Sequence, residues 1–172
     1  MSNTLFAQLQ AACELASFPC WIEPAAEESS MEQMHVLLHV DEQERNYMAR
    51  LMLVADATAP ADTIALLDMA LIFPFPVESS RMADTARLAS ALNLSSLIGA
   101  FAVAEADKVV TLRAPWHAPL ADMNAAHVMP LLDMLRYNAT ESAEIIEKVA
   151  SGALAFDEVL DTVRAAVAQA GA

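Results

Sequence analysis

The sequence predicts an α+β fold, an antiparallel sheet with helices packed against it. Three observations predict it. Gln33–Val40 and Asn46–Ala55 alternate residue by residue with the period of a strand, on either side of the polar run Asp41–Arg45. Segments near 4–17, 79–92 and 120–150 instead repeat apolar residues at helical spacing. A second alternating pair, Phe101 with Val103 and Val110 with Leu112, flanks a turn near Ala106-Asp107.

In chain order, Ser2 or Thr4 can cap a first helix running to about Ser17. Leu5, Leu9, Ala12 and Ala16 form its stripe, Phe6 and Cys13 widen it, and Pro19 ends it. A short strand, Cys20–Glu23, precedes Pro24 and an acidic loop, Glu27 to Ser30. In the first alternating strand Met34, Val36, Leu38 and Val40 share one face, and Gln33, His35, Leu37 and His39 the other. In the second, Tyr47, Ala49, Leu51 and Leu53 oppose Met48, Arg50, Met52 and Val54. The run Thr63–Phe73 has helix-forming Ala and Leu, but its length and its Phe-Pro-Phe-Pro exit read as a third antiparallel strand.

Ser79 or Ser80 then caps a helix through about Leu92, with Met82, Ala86, Ala89 and Leu92 inward and Asn93 in the left-handed region closing it. Gly99 stands at a strand entry, where a close backbone approach or a positive φ calls for glycine. The loop Pro115-Trp116-His117-Ala118-Pro119 breaks the sheet. A long helical stretch, about Leu120 to Ala150, has Pro130 as a kink or a fresh start, and Ser151-Gly152 separates it from a last helix, about Phe156 to Ala170. The coarse order is α-β-β-β-α-β-β-α-α, in a single domain over residues 1–172.

A chain of 172 residues buries roughly 70% of its unfolded surface and needs neither disulfide nor metal to fold. Cys13 and Cys20 lie outside any C-x-x-C or zinc spacing and read as reduced, largely buried thiols. No window gives 18 uninterrupted apolar residues, and the N-terminus lacks a signal-peptide pattern, so the expected location is the cytoplasm, with no membrane contact. Nine Lys and Arg against 23 Asp and Glu give a formal charge of -14, which repels phosphate backbones and argues against nucleic-acid binding.

Sites for chemistry are few. Three isolated glycines make no phosphate cradle, and no nucleophile elbow or H-E-x-x-H is present. His35 and His39 fall on a strand, roughly 13 Å apart, too far to share a metal. His117 and His127 follow in a loop and a helix. No metal or cofactor is expected. Asp68, between apolar neighbours, faces solvent, pairs with an arginine such as Arg50, or is a general base with a raised pKa. Ten methionines suit a pliable surface as well as a core, and Met48 and Met52 flank Arg50 on one strand face. Trp116 can anchor a partner or pack over the sheet end. Met48, Arg50, Met52 and Trp116 are the candidate partner contacts.

The stretch Phe73–Ala114 carries an ordered set of short motifs. Phe75-Pro76-Val77 closes a strand, Leu92-Asn93 closes a helix, and Gly99-Ala100-Phe101 precedes an acidic turn and the strand Val109–Arg113. Ser151-Gly152 is followed by Phe156-Asp157-Glu158-Val159. This set resembles the YbjN family of bacterial proteins, the sensory transduction regulators, over about Leu66 to Leu160. Ala89-Ser90 departs from the family's Asn-rich position, and the N-terminal strands match only in order. The resemblance implies a fold similar to the class I chaperones of type III secretion, often dimeric, with no agreed enzymatic residues. Asn93, Gly99 and Gly152 then serve backbone geometry.

The expected function is a non-enzymatic, homodimeric protein-binding module, chaperone-like or regulatory, that holds a partner segment. A dedicated type III secretion chaperone is one alternative. A small enzyme using Asp68 or a histidine in a sheet-lined pocket is the other.

Overall fold

Alternating stretches become strands and helical-period stretches become helices in the computed structural model, which describes residues 4–25, 31–55 and 60–162. The elements are α1 (Thr4–Leu15), β1 (Cys20–Glu23), β2 (Gln33–Val40), β3 (Asn46–Val54), β4 (Ile64–Pro76), α2 (Met82–Leu92), β5 (Ala100–Ala104), β6 (Val109–Pro119) and α3 (Ala125–Ala150). The six strands form one antiparallel sheet in the order β1-β2-β3-β4-β6-β5. The fold class is α+β, as the sequence predicts. Cys20–Glu23 pairs fully with β2, so four strands precede α2, one more than the coarse order counts. A capping Ser2, the Glu27–Ser30 loop and the last helix beyond residue 162 lie outside the described residues.

Alternation along the strands decides which side is core. Met34, Val36 and Leu38 of β2, Tyr47, Ala49 and Leu51 of β3, and Leu67, Met69, Leu71 and Phe73 of β4 are all buried. Against them pack Leu5, Phe6, Leu9 and Cys13 of α1, Leu88 and Ala89 of α2, and Val128, Leu132, Leu135 and Ile146 of α3, in one apolar cluster. Each fully buried side chain of this size contributes about 1.5–3 kcal/mol. A bulge between Leu37 and His39 ends the alternation of β2, so Val40 is exposed instead of joining the core.

Local physics corrects several expectations. The helix α1 stops at Leu15 because Ser17 turns into the left-handed region at φ 61°, which leaves Ala16 exposed. On α2 the buried stripe is Thr85, Leu88 and Ala89, not one through Ala86, and the buried Thr85 hydroxyl is satisfied by donating to the Arg81 carbonyl. Asn93 is right-handed at φ -63°, not left-handed.

The predicted sheet-breaking loop, Pro115 to Pro119, is strand: β6 pairs with β4 from Thr111↔Ile72 to Pro119↔Ile64. Two prolines are tolerated because β5 ends at Ala100, opposite Arg113. Beyond that point β6 is an edge, and the missing N–H groups of Pro115 and Pro119 face the open side.

A 3-10 turn covers Leu120–Asp122, and the long helix starts only at Ala125, capped by the Asn124 side chain accepting from the His127 N–H. It runs on through Pro130, close to its N-terminus, with no fresh start. A further helical turn begins at Phe156. There Arg87 stacks over the Phe156 ring at 4.3 Å and pairs with Asp157 at 3.1 Å, tying the C-terminal segment to α2.

Candidate functional site

The helices take one side of the sheet, and the side chains of opposite parity form an outer face. Arg50 is exposed at its middle, with Met48 and Met52 half-buried on the same strand. The register sets these residues in cross-strand rows. One row runs Trp21, His35, Arg50, Ala70, Arg113, Ala100. The next runs Glu23, Gln33, Met52, Asp68, Pro115. Leu37 lies opposite Met48, and Ile72, which is 55% exposed, lies opposite Thr111.

Two polar relationships organise this face. Asp68 is only 3% exposed, and Arg113, itself 62% exposed, holds it through Nε at 2.7 Å and Nη2 at 3.0 Å. These bonds, with the carboxylate charge, raise the Arg113 pKa further and keep the guanidinium charged. The expected partner Arg50 is not the one used. His35 stacks on Trp21 with ring centroids 5.0 Å apart, and its Nε2 meets Glu23 Oε2 at 3.0 Å. Arg50 stands apart. The arginines at 45, 81, 87, 113 and 136 each have a carboxylate within 4.0 Å, whereas Arg50 has none among the described residues.

No protein-family model matches the chain, and no curated protein matches it either. The site is therefore read from its own chemistry.

Met48, Arg50 and Met52 are brought together as the alternation of β3 predicts. Trp116 is not with them. It lies on the helix-covered side of β6, half-buried, with its ring edge-on to His127 at 6.3 Å. Sequence reasoning missed Arg113, Trp21 and Ile72 as members of the outer face. The parity of β1, β4 and β6 relative to β3 would have found them, once the pairing was known.

The histidines separate. His35 is on the outer face, the bulge carries His39 to within 5.6 Å of the core-facing Tyr47 ring, His117 is exposed, and His127 sits at the start of α3. No group of three or more His, Cys, Asp or Glu side chains able to hold a metal exists among the described residues. No helix among them is long and apolar enough to cross a membrane.

Two clefts lie on the helix side. One, about 600 Å³, opens between the β2–β3 turn and α3, bordered by His39, Asp41, Tyr47, Thr140 and Glu144. Arg45 spans it, donating to Asp41 Oδ2 at 2.7 Å and to both Glu147 oxygens at 2.6 and 2.8 Å. The Glu147 carboxyl is held below its ordinary range, chiefly by those bonds, and Arg45 is raised by the same contact. With its cation saturated, this cleft offers no free anion site. The other cleft, about 270 Å³, lies between α2 and α3 beside Ser95, Ser96 and Tyr137. Leu94 and Leu97, 90% and 79% exposed, flank those serines.

Proposed function

We propose that the protein is a non-enzymatic protein-binding module, chaperone-like or regulatory, which holds a segment of a partner protein against the outer face of its sheet. One observation carries this reading: a six-stranded sheet buries one side under helices and leaves Met48, Arg50, Met52, Ile72 and Trp21 on the other. Pliable methionines beside exposed apolar residues form a surface that adapts to varied segments. The resemblance to the YbjN family, with its secretion-chaperone-like fold, supports the same reading, and the proposal includes a homodimer in the cytoplasm. A dedicated secretion chaperone is the narrower form of this function.

The enzyme alternative has less behind it. The Asp68 carboxylate is engaged on both oxygens by Arg113, and Asp68 borders neither of the clefts described above. A carboxylate so paired is a poor general base.

The test is an affinity capture from the host's lysate with the tagged chain and with a Met48→Asp, Met52→Asp variant of unchanged circular dichroism. A stoichiometric partner that the variant loses is the expected result. The same partner retained by the variant would move the site off this face, towards Trp116 or the helices. Sedimentation equilibrium of the wild type should give twice the chain mass.

A further inference from the structure

We propose that the partner segment is acidic as well as apolar, and that one of its carboxylates seats over Ala70 between Arg50 and Arg113. This deepens, and rests on, the protein-binding reading of the outer face. Arg50 and Arg113 occupy the same cross-strand row with only Ala70 between them, so their Cα atoms lie two strand spacings, about 10 Å, apart. The methyl group of Ala70 rises little from the sheet, so little side-chain bulk separates the two arginines along this row.

The charges on the face favour an anion. Among the described residues its outward side chains carry two arginines and two carboxylates, Arg50, Arg113, Glu23 and Asp68, in a chain whose formal charge is -14. Both carboxylates are already engaged, Glu23 by His35 and Asp68 by Arg113. Asp68 takes Nε and Nη2 of Arg113, leaving Nη1 outside that pair. Arg50, which has no carboxylate within 4.0 Å among the described residues, stands between Met48 and Met52 on the same face of β3. A guanidinium among apolar side chains gains most from a planar carboxylate that arrives with apolar groups of its own, since the pair is then shielded from water. The Trp21–His35 stack walls one end of the row, and Leu37 and Ile72 supply apolar ground beside it. The rest of the chain is net acidic and repels such a segment, so this face, where the described charges balance, is the least unfavourable place for it to dock.

The test selects binders to the full chain from a displayed library of random peptides about 16 residues long. Affinities are then measured by fluorescence anisotropy with synthetic copies. Enriched peptides should combine Asp or Glu with Leu, Ile, Phe or Met. Arg50→Glu should weaken them at least tenfold, Ala70→Glu should do the same by placing a carboxylate between the two arginines in cis, and Lys148→Glu, an equal charge change on α3, should alter affinity less than twofold.

Peptides lost in the Met48→Asp, Met52→Asp variant yet insensitive to Arg50→Glu would overturn the carboxylate seat and leave the docking face standing. Peptides indifferent to both variants, or a library without binders, would overturn both. Basic enriched peptides would overturn the charge assignment. A dimer that dissociates on Arg50→Glu would assign the face to a second copy of the chain.

Discussion

Asn93 stands in for a missing strand beside Phe101. Its Oδ1 accepts the Phe101 N–H at 2.7 Å, and its Nδ2 donates to the Phe101 carbonyl at 3.0 Å. β5 is the last strand of the sheet, so these backbone groups would otherwise face outward unpaired. One side-chain amide thus makes the two bonds a neighbouring strand would make.

Asn93→Ala should cost about 1–3 kcal/mol, because both backbone groups lose their partner. Asn93→Asp should cost at least as much, since one carboxylate oxygen still accepts from the Phe101 N–H but the other is set against the Phe101 carbonyl oxygen, acceptor against acceptor. Urea unfolding of the two variants checks the order. Midpoints equal to that of the wild type would show that the reciprocal pairing contributes nothing.

The Asp68–Arg113 pair predicts an asymmetry. Arg113→Ala strands a carboxylate that is 3% exposed, whereas Asp68→Asn leaves Arg113 mostly in water. The first should therefore be the more destabilising, by about 1–3 kcal/mol, discounted from a fully buried pair because Arg113 is largely solvated. Replacing both, as Asp68→Leu with Arg113→Met, should recover most of that loss. Thermal and urea midpoints of the three variants provide the measurement.

The Arg45–Glu147 bond ties the β2–β3 turn to α3 and gives a pH signature. Glu147 has a lowered pKa in the folded protein, so the folded chain binds fewer protons there than the unfolded one. Its contribution is complete above the ordinary value of 4.5 and fades as pH falls through the lower folded value. Glu147→Gln should narrow its deficit from wild type as pH drops from about 7 to about 3. Urea midpoints at several pH values test this. A constant deficit would mean the bond carries no linked proton.

Burial pushes the Cys13 thiol up to about 12, with Cys20 adding to the effect, and burial also raises Cys20. Both are therefore protonated and slow nucleophiles near neutral pH. Half-buried Cys20 should react first with an aromatic disulfide reagent, and Cys13 only after denaturation. Rapid modification of both in the native protein would contradict this placement.

What was legible in the sequence follows from the range of the interactions. The faces of β3 were legible because strand parity is local, and Gly99 was legible because its φ of +75° and the 3.0 Å its Cβ would leave to the Arg113 carbonyl both call for glycine. Gly152, at φ +76°, is likewise a backbone-geometry residue. Asn93 was misread because intrinsic preference suggests a left-handed cap, whereas the residue is held by a strand eight positions on. The Asp68 partner depends on the β4–β6 register, 45 residues away, which no local pattern encodes. Pro115 and Pro119 read as a break until β5 proves too short to need their N–H groups. His35 and His39 were expected on one face, and a bulge that alternation cannot reveal parts them.

The overhang of β6 beyond β5 has a further consequence. With Pro115 and Pro119 along that margin, Asn93 occupying the margin at Phe101, and β1 only four residues long between Pro19 and Pro24, the described rim of the sheet has little to offer another backbone. For the proposed binding role this leaves recognition to side chains meeting side chains, so that a partner segment would be selected by what its residues are. The same rim guards against the indiscriminate strand-to-strand stacking that leads to fibrils.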